Sequence, residues 1–144
     1  MKPLLSNPAY TPQPANIAYC SAAFSELMRI RYSSQLFRMP TLKEVQQNLI
    51  FLNTGQSQIP GLIVMKLDAN GFPYEGYKHI LVVFNAINSS VTFTERRLQG
   101  QALYLHPVQQ HSNDPATRQS NFNSKQGSAT VPALTAAVFV SGGN

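Results

Sequence analysis

Residues 79–87, "HILVVFNAI", carry an apolar side chain at almost every position instead of at every second one. Successive residues of a strand point to opposite faces, so Ile80, Val82 and Phe84 would lie on one side and Leu81 and Val83 on the other. Both sides are oily. Such a strand has to be covered on its two faces, and a chain that contains it needs a sheet with one layer packed above and another below.

The remaining β signals say what one of those layers is. "LIFLN" ends at "TG", "GLIVMKL" runs into "DANG", and "VTFTE", "ALYLH", "ATVPA" and "LTAAVFVS" follow after turn residues. About seven short strands at this spacing predict a mostly β chain built as an antiparallel sandwich. "SVTFTE" is one-sided, with Val91 and Phe93 in and Thr92 and Thr94 out, which places it near an edge. The polar stretch 109–128, "QQHSNDPATRQSNFNSKQGS", reads as a long surface loop.

Helical signals come first in the chain. "MKPLLSNPAYTPQPA" holds four prolines and reads as coil. Asn16 is a candidate cap for a helix whose apolar residues Ile17, Cys20, Phe24, Leu27 and Met28 recur at helical spacing and share one face. Glu26 lies on its flank, three residues from Arg29, in position for a weak surface pair. After "SSQLFRMP", Thr41 and Glu44 stand at the capping-box distance ahead of a second short helix, "TLKEVQQNL". One or two helices therefore precede the sandwich, and a division at 1–40 and 41–144 follows. A chain of 144 residues suits one domain with an appendage.

Composition and spacing exclude several kinds of chemistry. The chain is 43% hydrophobic and 12% charged, with 11 basic against 6 acidic residues. The basic residues are scattered; only Arg29/Arg31 and Arg96/Arg97 are close neighbours, which is neither a dense patch nor a nucleic-acid reading module. Cys20 is the single cysteine, so no internal disulfide forms, and with His79, His106 and His111 far apart no zinc spacing arises. No cofactor or metal is expected. No apolar run has the length of a membrane span, and prolines interrupt the stretch where a signal peptide would be apolar, so compartment is left open.

Catalytic residues are not expected either. Glycosidic hydrolysis ordinarily needs two carboxyl groups facing one another across the scissile bond. Of the acids, Glu26 is assigned to a helix flank, Glu44 to a cap and Asp68 to a hairpin turn, and nothing pairs them or Glu75, Glu95 and Asp114 in a pocket. The serines and histidines lack a G-x-S-x-G elbow. Cys20, on the apolar stripe, reads as a small core residue. Phe72, Tyr74 and Tyr77 gather in the loop "GFPYEGY" and are candidate stacking platforms for sugar rings; ordinary loop packing is the alternative.

The order of segments is informative at a higher level. "FSELMRIRYSSQLFRMPTLKEVQQNLIFLNTG", "QIPGLIVMKLD", "ILVVFNA", "LHPVQ" and "TVPALTAAVFV" together resemble the C-terminal end of pullulanase-type α-1,6-glucosidases of glycoside hydrolase family 13. "LFR", "NTG…QIPGLIVM" and "HPVQ" carry most of that resemblance. It implies a parent in which a (β/α)8 barrel performs starch debranching and an antiparallel sandwich follows it. Residues about 16 to 33 would correspond to the last barrel helix. The family's nucleophilic aspartate, general-acid glutamate and transition-state-stabilising aspartate sit on barrel strands upstream, and none has a counterpart here.

The resemblance thus implies a non-catalytic domain whose helix stripe, Ile17, Phe24, Leu27 and Met28, faces the parent's catalytic barrel. A second copy of the chain is an alternative occupant of that stripe. Two other readings stand beside it: an independent α-glucan-binding module, and a small assembly protein that kept the fold without the enzyme. Relatives of this kind are secreted or surface-held in bacteria and plastidic in plants.

Overall fold

A computed structural model describes residues 7–70 and 76–141. The first long element is helix α1, Pro14–Tyr32. It starts two residues ahead of the expected Asn16 cap. Pro14 occupies the first turn, where a missing N–H costs nothing and a fixed φ is already helical, and Gln13 is the cap residue without a side-chain bond. A 3-10 turn, Gln35–Arg38, follows, and then α2, Leu42–Asn48. The capping box expected of Thr41 and Glu44 is formed: the Glu44 N–H donates to Thr41 Oγ1, and Glu44 Oε2 accepts from the Thr41 N–H.

Eight strands come next. They are β1 (Leu49–Phe51), β2 (Leu62–Asp68), β3 (His79–Asn85), β4 (Val91–Thr94), β5 (Leu103–Leu105), β6 (Asn121–Asn123), β7 (Ser128–Val131) and β8 (Thr135–Ser141). One sheet has the order β1-β2-β3-β8-β5 and the other β4-β7-β6, and every pairing is antiparallel. The chain is mostly β, as expected, and β4 is an edge strand as its one-sided pattern requires. The stretch 109–128, read from sequence as a long surface loop, instead holds the end of a short helix α3 (Pro107–Gln110), a second one, α4 (Pro115–Arg118), and strand β6. His106 and Asp114 cap these helices through their side chains, each followed by proline at the first helical position.

Strand β3 has the two covered faces that its composition demands. Leu81 and Val83 join Val64, Phe139 and Phe93 in the core between the sheets. Ile80 and Val82 point the other way, into a second core with Leu67, Val138 and Val140 that is roofed by Ile30 of α1 and Leu36 of the 3-10 turn. The architecture therefore has three layers: the small sheet, the large sheet, and the end of α1 with its following turn. Fully burying a Leu, Val or Ile is worth about 1.5 to 3 kcal/mol before entropy losses, which is why a strand of this composition needs both coverings. Phe84, on the same side as Ile80 and Val82, lies beyond that roof and stays 44% exposed.

Candidate functional site

Helix α1 is where this domain both holds itself together and presents an unfilled surface. Its inner line is set by Glu26, Ile30 and the capping Ser33. Ile30 is 3% exposed among aliphatic side chains of the large sheet. Glu26 was expected on the helix flank beside Arg29; it is buried instead, and its Oε1 accepts the backbone N–H of Asn113 at 3.1 Å. The reason is local: the turn before α4 leaves a main-chain donor facing α1, and the buried carboxylate takes it as a hydrogen-bond partner.

At the end of the helix, Ser33 Oγ lies 3.0 Å from His106 Nε2 and 2.7 Å from the carbonyl of Ile30. His106 is 2% exposed, its Nδ1 accepts the Val108 N–H, and burial pulls its pKa down to about 4. The Tyr77 ring meets the imidazole edge-on at 5.5 Å. Gly76 passes over the same corner with φ +103, and a Cβ there would stand 2.9 Å from the Ser33 carbonyl oxygen, so only glycine fits.

The opposite side of α1 is open. Ile17 is 58% exposed, Phe24 65% and Leu27 51%, with Met28 half-buried beside them. At 3.6 residues per turn, Phe24 stands roughly 160° around the helix from Glu26. Cys20 belongs to this open side and is exposed, which corrects its assignment to the core. The inner line is held by one apolar side chain, Ile30, together with the polar contacts of Glu26 and Ser33, while the opposite side exposes large apolar side chains, so the helix is engaged on one side and bare on the other.

Other sequence candidates are distributed differently. Phe72 and Tyr74, two of the three proposed sugar-stacking residues, and Glu75 lie outside the described residues. Tyr77 is half-buried in the outer core against His106, and burial, then the neighbouring Tyr104, raise its phenol pKa. Asp68 is not in a turn but ends β2, opposite His79 of β3.

Asp68 binds both Lys66 Nζ and, at 2.7 Å, His79 Nδ1. Ser141 of β8 completes the row, so a serine, a histidine and an aspartate do adjoin. They are not wired for nucleophilic attack, which needs the serine hydroxyl to donate to the imidazole; Ser141 Oγ accepts the His79 backbone N–H at 3.0 Å. The cluster clasps the ends of β2, β3 and β8. Glu44, Glu95 and Asp114 are each committed to a cap. Among the described residues no cluster of His, Cys, Asp and Glu could hold a metal, and no helix is long and apolar enough to cross a membrane.

With the layers and the site in place, comparison with known proteins is decisive. The family model of pullulanase-type α-1,6-glucosidases, C-terminal, matches residues 1–142. This chain is a pullulanase-type C-terminal domain. It is 40% identical to chloroplastic pullulanase 1 of Arabidopsis thaliana over 100% of this chain and 16% of that protein, and 30% identical to the pullulanase of Klebsiella pneumoniae over 90% and 12%. The crystal structure of apo pullulanase from Klebsiella pneumoniae superposes with a TM-score of 0.81 at 30% identity, covering 93% of this chain and 15% of that one. The domain thus spans a small fraction of the relatives' length and matches their C-terminal domain, not their catalytic region.

The segments that carry the pullulanase-type resemblance turn out to be structural. In "HPVQ", Gln109 Oε1 accepts the Val138 N–H at 2.7 Å and its Nε2 donates to the Ala136 carbonyl at 2.8 Å, so one side chain stands in for a strand neighbour of β8. In "NTG…QIPG", the Asn53 amide bonds Ile59 at both its N–H and its carbonyl, and Leu62 at its carbonyl. In "FNA", Asn85 Nδ2 donates to the carbonyls of Ser89, Val131 and Pro132. Sequence reasoning missed Glu26, Gln109 and the Ser33–His106 pair, because a buried amide or carboxylate looks like a surface one until its backbone partner is known.

Proposed function

We propose that this domain is a non-catalytic clamp for the catalytic part of a pullulanase-type enzyme, whose reaction would be hydrolysis of α-1,6-glucosidic linkages. The observation that carries the reading is the two-sided helix α1. Its inner line is filled by the domain's own sandwich through Ile30 and Glu26, while Ile17, Phe24 and Leu27 are left in water on the other side. A partner that covers this stripe, with each large side chain worth roughly 1.5 to 3 kcal/mol on full burial, is supported by relatives of which the chain makes up only 16% and 12%. The domain's contribution would be to hold α1 in register against that partner and to slow its unfolding.

The test is a chimera in which this chain replaces the matched segment of the Arabidopsis relative. Phe24→Asp should leave the unfolding of the isolated chain unchanged at concentrations where it is monomeric and shorten the chimera's half-life of pullulan hydrolysis at elevated temperature several-fold. Equal half-lives for the two chimeras would overturn the clamp. The isolated chain should release no reducing sugar from pullulan, and its bare stripe should drive self-association that sedimentation at several concentrations detects and Phe24→Asp weakens.

A further inference from the structure

The small sheet turns an uncharged polar face outward. Phe93, Ala129 and Val131 point into the core between the sheets, so their neighbours along each strand point the other way. Thr92, Thr130 and Asn121 stand in one row across β4, β7 and β6, and Thr94, Ser128 and Asn123 in the next. Thr92 Oγ1 and Thr130 Oγ1 meet at 2.9 Å. All six side chains end in a hydroxyl or an amide, and Thr92, Thr94, Asn121 and Asn123 are exposed. The small sheet is the layer on the far side of the large sheet from α1, so whatever covers the helix stripe leaves this face in water.

The second row opens at Thr94 into a notch. The connection from β1 to β2 folds against the end of β4, and a cavity of about 250 Å³ between them is lined by Asn53, Thr54, Ser57, Thr94 and Glu95, together with the buried Phe93 and the half-buried Ile59. Its polar groups are held in place. Asn53 is fixed by three hydrogen bonds across its own loop. Glu95 is fixed by Arg97, whose backbone N–H and Nε donate to Oε1 at 3.2 and 3.1 Å.

Hydrogen bonding from the Arg97 guanidinium lowers the Glu95 pKa, so the carboxylate is ionised at neutral pH and its charge is balanced within the chain. Oε2 receives only the longer Arg97 Nη2 bond, at 3.3 Å, and keeps room for a further donor. The exposed hydroxyls of Thr54, Ser57 and Thr94 bond to no other described residue.

We infer that the notch and the adjoining face form a binding track for a neutral polysaccharide, an α-glucan chain, with a hexose ring in the notch and the following rings along the two rows. The chemistry of the lining selects this ligand. An ion would be desolvated against groups with no spare counter-charge, and an apolar ligand would bury three hydroxyls and a carboxylate oxygen without partners. A sugar ring suits both parts of the notch: its hydroxyls donate and accept at the rim, and its C–H face lies against Phe93 and Ile59. The choice of α-glucan among neutral polysaccharides rests on the parent activity proposed above; the track itself is independent of the clamp.

Native electrophoresis of the full chain in gels with and without amylopectin tests the track. Amylopectin should retard the chain, and added maltoheptaose should release it. Ser57→Ala and Thr94→Val, at exposed positions, should unfold at the native temperature and weaken the retardation about 3- to 10-fold each. Glu95→Gln, which keeps an acceptor for the cap, should weaken it about 10-fold or more. Phe24→Asp, on the opposite layer, should be retarded like the native chain. An unmodified chain that runs alike in both gels overturns the inference, and so does retardation that survives Ser57→Ala, Thr94→Val and Glu95→Gln, which would put the glucan elsewhere. Equal retardation by hydroxyethylcellulose overturns the assignment to α-glucan. The clamp fails by a different readout: it falls if Phe24→Asp leaves the chimera's half-life unchanged, whatever the gels show, and it stands if that half-life shortens while amylopectin retards nothing.

Discussion

Ser33 Oγ and His106 Nε2, 73 residues apart in sequence, meet at 3.0 Å and tie the end of α1 to the start of α3. The serine has one proton and donates it to the Ile30 carbonyl, so it accepts from His106 Nε2–H. Nδ1 is the acceptor for the Val108 N–H. The ring is therefore neutral, in a fixed tautomer, and a second proton has nowhere to go without breaking the Nδ1 bond.

Stability should fall with pH through this one ring. The His106 pKa is lowered to about 4 by burial, whereas in the unfolded chain it titrates near 6.5. Between those values the unfolded state binds a proton that the folded state refuses, so stability is complete above pH of about 6.5 and drains away as pH falls toward 4. The total is about 3 to 4 kcal/mol at the ordinary cost per pH unit. Urea midpoints at pH 7 and pH 4.5 for the native chain and His106→Gln check it: the variant should be less stable at pH 7 and lose less on acidification.

Removing the Glu26 carboxylate should cost about 1 kcal/mol or more, since Glu26→Ala takes away the acceptor of the partly buried Asn113 N–H. Glu26→Gln keeps an acceptor oxygen and should recover most of that loss. Thermal unfolding of the three proteins distinguishes this from a surface pair with Arg29, whose removal would change stability by less than 1 kcal/mol.

Gln109→Ala should be more damaging than any substitution of an exposed glutamine. It frees the Val138 N–H and the Ala136 carbonyl of β8 together, at about 1 kcal/mol or more for each orphaned group. Gln109→Leu, which keeps the volume, should not rescue it. Amide hydrogen exchange would locate the damage at Val138.

Asp68→Asn should lower stability without altering any hydrolysis. The substitution leaves Lys66, 8% exposed, without its counter-charge, and breaking a largely buried pair from one side costs up to about 3 to 5 kcal/mol. Neither Asp68→Asn nor Ser141→Ala should change the background hydrolysis of an activated ester. A drop on replacing Ser141 would mean that the row is a working triad after all.

What the sequence disclosed follows from which interactions are periodic. The double alternation of β3 announced a strand between two layers, and Thr41 with Glu44 announced a helix start, because both signals are local. Helix α1 was legible as a helix, and Ile17, Phe24, Leu27 and Met28 as one of its faces, but not the inner line, where a glutamate and a serine do part of the anchoring. Periodicity counts Glu26 as surface; only the fold brings the Asn113 N–H to it. Strand β6, "NFN", is a short, mostly polar strand at the border of the small sheet, so it carries no apolar alternation to find. The starts of α3 and α4, His106-Pro107 and Asp114-Pro115, were present as cap-then-proline signals, the first just ahead of and the second inside a tract whose polarity suggested loop.

The strand order β1-β2-β3-β8-β5 seats the latest strand of the described chain between two made earlier. During synthesis β3 and β5 emerge first and have no neighbour on the sides that β8 will fill, so the large sheet cannot close until Thr135–Ser141 clears the ribosome. A nascent chain stopped short of that point displays two open, greasy strand borders, a signal that chaperones and proteases recognise. The topology thus makes synthesis through Ser141 a condition for acquiring the fold.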